Sequence, residues 1–399
     1  MNAPPLPLEE AQARLLALAP LLPIEHREVA DCAGFYIAEP LLALRSQPAA
    51  AMSAMDGYAV RAGERGPWRV VGESAAGRPF ERAIGHGEAA RVSTGAVLPE
   101  GADCVLLQED CARDGDRLTH REAPPRAGRH VRRAGLDFRA GDELLPKGTR
   151  IGPAQLALAL AAGHHHLPVR PRIRVALVDC GDELAPPGVP ADAHRLPASN
   201  SAMLAAMVGG LPSTIERMGP VPDSLEALTA ALERVGEAGI IVTTGGASVG
   251  DHDLVRPALE RLGATLDFWR VAIKPGKPLL VARRGAQVIL GLPGNPASAF
   301  VTGYVFLLPL IRAALGAADT LPRAIPARLT APLGPGGKRV EFLRARWEGG
   351  EVTPQVVQDS GALLPLAHAN ALIRREIDSP PAAAGNAVPV YWLENGGIA

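Results

Sequence analysis

Two lysines stand together in Lys274-Pro275-Gly276-Lys277-Pro278, in a chain with only two others, Lys147 and Lys338, among its 41 basic residues. A sequence that prefers arginine so heavily, yet pairs lysines here, calls for compact, mobile ammonium groups rather than planar forks. The second chemical stretch runs from Gly239 to Asp253. Its β-branched run Ile240-Ile241-Val242-Thr243-Thr244 reads as a strand buried on both faces. It breaks into Gly245-Gly246-Ala247-Ser248-Val249-Gly250-Asp251-His252-Asp253, where three glycines in six residues turn the chain and leave its backbone open. Helical spacing resumes at Leu254-Val255-Arg256-Pro257-Ala258-Leu259. Strand, glycine loop and helix together present free N–H groups to an anion.

Two further junctions share this character. After Val178 comes Asp179-Cys180-Gly181-Asp182-Glu183, and after Leu290 comes Gly291-Leu292-Pro293-Gly294-Asn295-Pro296. In the latter, Asn295 is an expected N-cap and Pro296 the first helical residue. In a parallel sheet all three loops lie at the carboxyl edge, where open α/β folds bind ligands. Gly, Pro and Asn are also what any turn requires. Three such loops on one edge, two of them charged, favour a site. Asp182, Glu183, Asp251 and Asp253 would repel an anion on their own, but a Mg²⁺ ion between carboxylates and phosphate oxygens reconciles them. Lys274 and Lys277 then supply positive charge on the ligand's other side. For Asp251, helix capping is an equal reading.

Other polar groups are less decisive. Asp56 suits an ordinary turn, and Arg132-Arg133 suits either an anion contact or a solvated pair. The run His164-His165-His166 follows a helix stop at Gly163 and precedes Pro168. Adjacent histidines cannot all face one ion, so it reads as a surface turn. The chain has no GxGxxG, no P-loop and no HExxH motif, which leaves dinucleotide, ordinary NTPase and zinc-peptidase readings without support.

The elements that must position these groups divide the 399 residues into blocks, as expected for a chain too long for one core. Leu8, Ala11, Leu15, Leu18 and Leu22 form a helical stripe after Pro7. From Ala49 to about Phe138 the texture is short extended pieces between Gly and Pro, a mainly β unit. Ile151-Gly152-Pro153 opens a helix that ends near Gly163. From Arg172 strands and helices alternate: strands at Ile173–Val178, Thr214–Met218 and Ile240–Thr244, helices at Asn200–Val208, Asp223–Val235 and Leu254–Leu262. Strand-like pieces follow at Leu266–Ile273, Leu279–Ala282 and Val288–Leu290, then a long helix from Ala297. This alternation implies a mostly parallel sheet with helices on both faces. Beyond Leu321 short strands between turns predict a small all-β domain, barrel or sandwich.

Composition removes other classes. A formal net charge of −1 argues against nucleic-acid and membrane-surface partners. No signal peptide is visible, and the apolar run from Ala297 to Leu310 is shorter than a membrane span. The four cysteines, Cys32, Cys104, Cys111 and Cys180, lack metal-ligand spacing and read as reduced thiols of a cytoplasmic protein.

Taken in order, the motifs resemble the MoeA-type molybdopterin molybdenumtransferases, the family that includes the E domain of gephyrin. The resemblance is carried by Ser53–Val60 (SAMDGYAV), Thr94-Gly95-Ala96, Arg132–Asp137 with Gly141, Gly181–Leu184 and Ser199–Ser201. It continues through Thr244–Asp253, Lys274–Pro278, Gly291–Pro296, Arg339–Arg344 and Ser360–Ile373. The resemblance implies a multidomain α/β and β fold. A helical linking domain would comprise 1–48 and 139–171, a β-rich inserted domain 49–138, a molybdopterin-binding α/β domain 172–320 and a C-terminal β-barrel 321–399. It further implies a homodimer whose active site is shared between subunits, and a reaction of adenylylated molybdopterin with molybdate that releases AMP and needs Mg²⁺. Contacts with the adenylyltransferase partner and with apo-molybdoenzymes or their chaperones belong to the same expectation.

By motif position, the catalytic roles fall on Asp56, Thr94, Glu183, Asp253 and Lys274, with Glu183 and Asp253 toward the metal. Substrate binding falls on Arg132, Asp137, Asp223, Gly245, Gly246, Ser248, Gly250, Arg270, Lys277, Pro293, Gly294, Asn295 and Pro296. The sequence departs from the family pattern at Cys180, Gly239 and Pro365, and Arg270 stands where a lysine can occur. Two other readings remain: an adenylyltransferase, whose α/β domain is similar, and an inactive binding scaffold. The inserted β-rich unit and the intact acidic and lysine positions favour the transferase.

Overall fold

The computed structural model of the chain describes residues 4–122, 124–186, 188–189, 193–246 and 254–393. Its central sheet has six strands in the order Ser213–Val221, Ile173–Cys180, Ile240–Thr244, Gln287–Leu292, Leu280–Arg284, Thr265–Trp269. The first four run parallel. The last two are added antiparallel. Both faces are buried because both residues of each alternating pair are apolar. Val175, Leu177, Ile240, Val242, Val288 and Leu290 face one core, while Ala176, Val178, Ile241 and Ile289 face the other. Helices Asn200–Val208 and Pro296–Thr302 cover the first face; Leu225–Arg234 and Val255–Arg261 cover the second.

The register brings the loops together. Asp179 pairs with Thr244, and Thr244 pairs with Leu292, so three neighbouring strands end at one level. The loops after them therefore share an edge.

The remaining units follow their own patterning. Gly57–Val60 lies within a six-stranded sheet between Cys104–Leu107 and Glu88–Val92. Two segments that flank this insertion rejoin: Glu25–Glu28 pairs with His166–Val169, and Phe35, Ile37, Ala159, Leu167 and Val169 form a common core. His166 thus belongs to a strand and not to the expected surface turn, while His164 bonds the Leu42 carbonyl. Near the C-terminus, five strands close on themselves through the pairing of Val340–Glu348 with Ala371–Arg375, a β-barrel rather than a sandwich.

Four local outcomes differ from the sequence expectation. The N-terminal helix is shorter, Leu8–Ala17, and inserts Leu8, Ala11 and Leu15 into the α/β core, away from the linking unit's own core. The piece Leu266–Ile273 splits into Thr265–Trp269 and Ile273–Lys274, with Arg270 between them at φ +78°, a left-handed conformation outside the extended range of regular strands. Ile273–Lys274 leaves the α/β sheet and pairs with the barrel. The helix from Pro296 to Ala314 contains a π-helical turn at Gly303–Leu307. By length and composition it would cross a membrane, yet 83% of its most apolar stretch is buried within the protein.

Candidate active site

A cleft of about 480 Å³ opens at the shared strand edge. Its lining comes from Asp179, Glu183 and Leu184, from residues 196–200, from Gly245 and Gly246 and from residues 293–296, completed by Pro278, Gly361 and Leu363. Of the residues singled out from sequence, Glu183, Gly245, Gly246, Pro293, Gly294, Asn295 and Pro296 line it. Ser248, Gly250 and Asp253, with Asp251, lie outside the described residues.

The glycines are needed for close approach. Gly245 has φ +87°, and a Cβ there would sit 2.3 Å from the Cys180 carbonyl oxygen. Gly246 has φ +64°, with Val255 in the way. The Gly245 N–H bonds the Leu292 carbonyl (3.2 Å), and a Cβ added at Gly294 would come within 3.5 Å of Gly245 Cα, so two of the three loops lie close together. Cys180 itself is buried, and burial pushes its thiol up to about 12; it serves the fold and not as a nucleophile.

Two polar groups on the cleft wall were not assigned from sequence. Asp179, 3% exposed, accepts hydrogen bonds from the Thr244 hydroxyl (2.7 Å) and the Ser201 N–H (3.1 Å), tying two loops at their root. A carboxylate closing the apolar run Ile173–Val178 was the available signal. Asn200 donates from Nδ2 to the Gly294 carbonyl (2.7 Å), whereas its Oδ1 is buried with no partner among the described residues. An unsatisfied acceptor on a cleft wall is a place where a ligand donor is worth most.

Asn295 occupies the N-cap position, but its side chain does not cap the helix, contrary to expectation. Its Nδ2 donates to Ser360 Oγ (3.0 Å), and the Ser360 carbonyl accepts from Ala297 N–H (3.0 Å). The barrel side thus supplies the cap. Gln358 fixes that segment by bonding both the N–H and the carbonyl of buried Arg344.

The remaining predicted residues form groups outside the cleft lining. Lys274 and Lys277 are exposed, and Pro278 of the same loop lines the cleft. Arg270 stacks over Trp269 at 4.3 Å. Asp182 and Asp223 accept from each other's backbone N–H at 3.2 and 3.4 Å, on the loop that also holds Glu183. In the inserted unit, Asp56 Oδ1 accepts from both the N–H (2.6 Å) and the hydroxyl (3.1 Å) of Thr94. Those two bonds hold the Asp56 carboxyl below the usual carboxylate range. Arg132 pairs with Met52 on the adjoining strand, and the Asp137 N–H bonds the Gln47 carbonyl. No described residue of 49–138 lines the cleft.

For a metal, Glu183, Asp182 and Asp223 offer only oxygen, the donor type a hard dication takes. Among the described residues, the one trio of ligand atoms within 4.8 Å is Asp110, His120 and Glu122 in the inserted unit, where Glu122 also pairs with Arg129.

Comparison with known proteins agrees with this arrangement along the whole chain. Residues 6–163 match the MoeA N-terminal region (domain I and II), 176–313 a probable molybdopterin binding domain, and 326–393 the MoeA C-terminal region (domain IV). A molybdopterin molybdenumtransferase of Haemophilus influenzae is 30% identical, over 96% of this chain and 98% of its own. Molybdopterin molybdenumtransferase 2 of Mycobacterium tuberculosis is 37% identical, over 90% and 93%. The crystal structure of a molybdopterin biosynthesis MoeA protein from Pyrococcus horikoshii superposes with a TM-score of 0.84 at 29% identity, covering 99% of this chain and 100% of that one. The cleft between glycine loop and proline-rich loop therefore lies in a domain of known kind, and the chain belongs to the MoeA family of molybdopterin molybdenumtransferases.

Proposed function

We propose that the protein inserts molybdate into adenylylated molybdopterin, with Mg²⁺-dependent release of AMP, as a cytoplasmic homodimer. The observation that carries this reading is the cleft itself. An acidic loop, a glycine loop and a proline-rich loop meet at one sheet edge, and Pro278 of the lysine loop lines the same cleft. Molybdate is a dianion and the substrate carries a pyrophosphate, so both need cations and open N–H groups.

In this reading the backbone of Gly245, Gly246, Ser248 and Gly250, with Pro293–Pro296, cradles the pterin and its phosphates. Lys274, Lys277 and Arg270 hold oxyanions, and Asp223 orients the acidic loop through Asp182. Glu183 and Asp253 hold Mg²⁺; their all-oxygen character fits it, and the ion when bound neutralises phosphate oxygens. Asp56, with Thr94, Arg132 and Asp137, completes the site from a second subunit. Leu42, Leu44 and Leu160 are in keeping with such a dimer: they are large apolar side chains exposed on the linking unit, where Leu44 N–H bonds the Ala162 carbonyl.

The test is to supply purified protein with adenylylated molybdopterin, Mg²⁺ and either molybdate or tungstate, and to measure AMP and active cofactor. Oxyanion-dependent AMP release is expected. A folded dimer that releases none would sink the reading, and ATP consumption without the adenylylated substrate would point to an adenylyltransferase instead.

A further inference from the structure

The two lysines of Lys274-Pro275-Gly276-Lys277-Pro278 are three residues apart, yet they have different surroundings. Lys274 lies on the strand that joins the barrel, where Ile273 pairs with Val340 and Lys274 with Glu341. That junction is held by Val340 N–H to the Ala272 carbonyl and by Arg339 Nη1 to the Ile273 carbonyl (3.2 Å). Across it, Lys274 Nζ meets Glu341 Oε1 at 2.9 Å. The Glu341 side chain is only 13% exposed, whereas that of Lys274 is 55% exposed. A carboxylate so withdrawn from water needs a counter-charge, and the barrel backbone fixes where it stands. Lys277 is exposed, and among the described residues its ammonium has no ion-pair partner.

We propose that Glu341 is a positioning residue for Lys274. It holds one ammonium of the lysine loop in place before the oxyanion arrives and leaves Lys277 as the mobile one. The rotamer freedom of Lys274 is then surrendered on folding and not during the reaction. The neighbouring negative charge also weakens the loop's pull on a dianion, so Glu341 favours turnover at some cost in capture. The catalytic consequence rests on the transferase reading above; the placement of Lys274 does not.

Glu341→Ala should lower kcat of molybdate-dependent AMP release about tenfold or more, without raising the KM for molybdate. Glu341→Gln, which keeps an acceptor, should restore part of kcat and guards against a folding defect. In a Lys274→Ala background, Glu341→Ala should cost nothing further in kcat, since the two residues act as one unit. Losses that multiply would overturn the proposal, as would a raised KM for molybdate with unchanged kcat. An independent arm uses substrate-free protein and limited amine acylation read by mass spectrometry. Lys274 should label more slowly than Lys277 in the wild type and approach it in Glu341→Ala, with Glu341→Gln in between. Equal labelling in the wild type would overturn the positioning role even for an enzyme that proved to have another activity.

Discussion

Asp56 and Thr94 are locked together by two bonds to a single oxygen: Asp56 Oδ1 takes both the N–H and the hydroxyl of Thr94. The two residues are 38 apart in sequence and meet because Ser53 bonds Ala96 and Gly95 through its backbone. The bonds favour the ionised carboxylate, so its pKa in the folded protein lies below that of an unfolded aspartate. The stabilisation is therefore present above the ordinary aspartate pKa and is lost as pH falls through the lowered one. Thr94→Val removes the hydroxyl bond and keeps the N–H bond. The Asp56 carboxyl should then titrate at higher pH, read by carboxyl-carbon NMR, and the acid limb of AMP release should move up with it. An unchanged titration would mean that the hydroxyl bond adds nothing to holding the charge.

Because no described residue of the inserted unit lines the cleft, the proposed roles of Asp56 and Glu183 can be separated between chains. Asp56→Asn and Glu183→Gln should each reduce activity about a hundredfold or more, as expected for groups acting on the reacting centre. Mixed and reassociated, the two inactive proteins should regain activity, since a heterodimer contains one site with both residues intact. Tagged heterodimers with no recovery would place both residues in one subunit's site and refute the shared arrangement.

Gly245 and Gly294 are neighbours across two of the loops, but only one of them requires glycine. A Cβ at Gly245 meets the Cys180 carbonyl at 2.3 Å with φ at +87°, whereas at Gly294 the nearest atom is Gly245 Cα at an ordinary 3.5 Å. Gly245→Ala should therefore destabilise the protein by about 1–3 kcal/mol, the usual cost of a strained backbone. Gly294→Ala should leave stability nearly unchanged. Denaturation midpoints of the two variants would decide, and equal losses would refute the argument.

The core of this geometry was legible in the sequence for physical reasons. Ile240–Thr244 is short, β-branched and buried on both faces, a pattern with one main outcome, and the alternation after Arg172 sets three loops on one edge. The glycines of the central loop announced a turn, and the positive φ of Gly245 and Gly246 bears that out. What remained hidden was tertiary. Nothing local shows that Ser360, rather than Asn295, caps the helix at Pro296, because the partner is 65 residues away. The same holds for Leu8–Ala17, whose stripe fits any apolar face and found that of the α/β core. Arg270 hid the end of a strand, since an arginine gives no warning of a left-handed backbone. Asp179 was passed over because a buried carboxylate is recognised by its partners, Thr244 and Ser201, and neither is adjacent in sequence.

Asn200 offers the sharpest test of ligand recognition in the cleft. Its Nδ2 is committed to the Gly294 carbonyl, which fixes the amide plane of this cleft-lining residue and leaves Oδ1 buried and without a partner among the described residues. A buried acceptor in that condition gains a bond when a ligand brings a donor, and a pterin ring carries N–H donors on its edge. Asn200→Ala should weaken molybdopterin binding by about 1–1.5 kcal/mol, roughly tenfold in Kd. Asn200→Asp keeps the acceptor and adds a negative charge, at the loss of the donor to Gly294. It should bind more weakly still, through repulsion of the phosphates and an unpaired Gly294 carbonyl. Calorimetric titration of the three proteins, with denaturation curves as a control for folding, measures this directly. If Asn200→Ala binds as tightly as the wild type, the pterin edge lies elsewhere in the cleft and Asn200 serves only to brace the Gly294 loop.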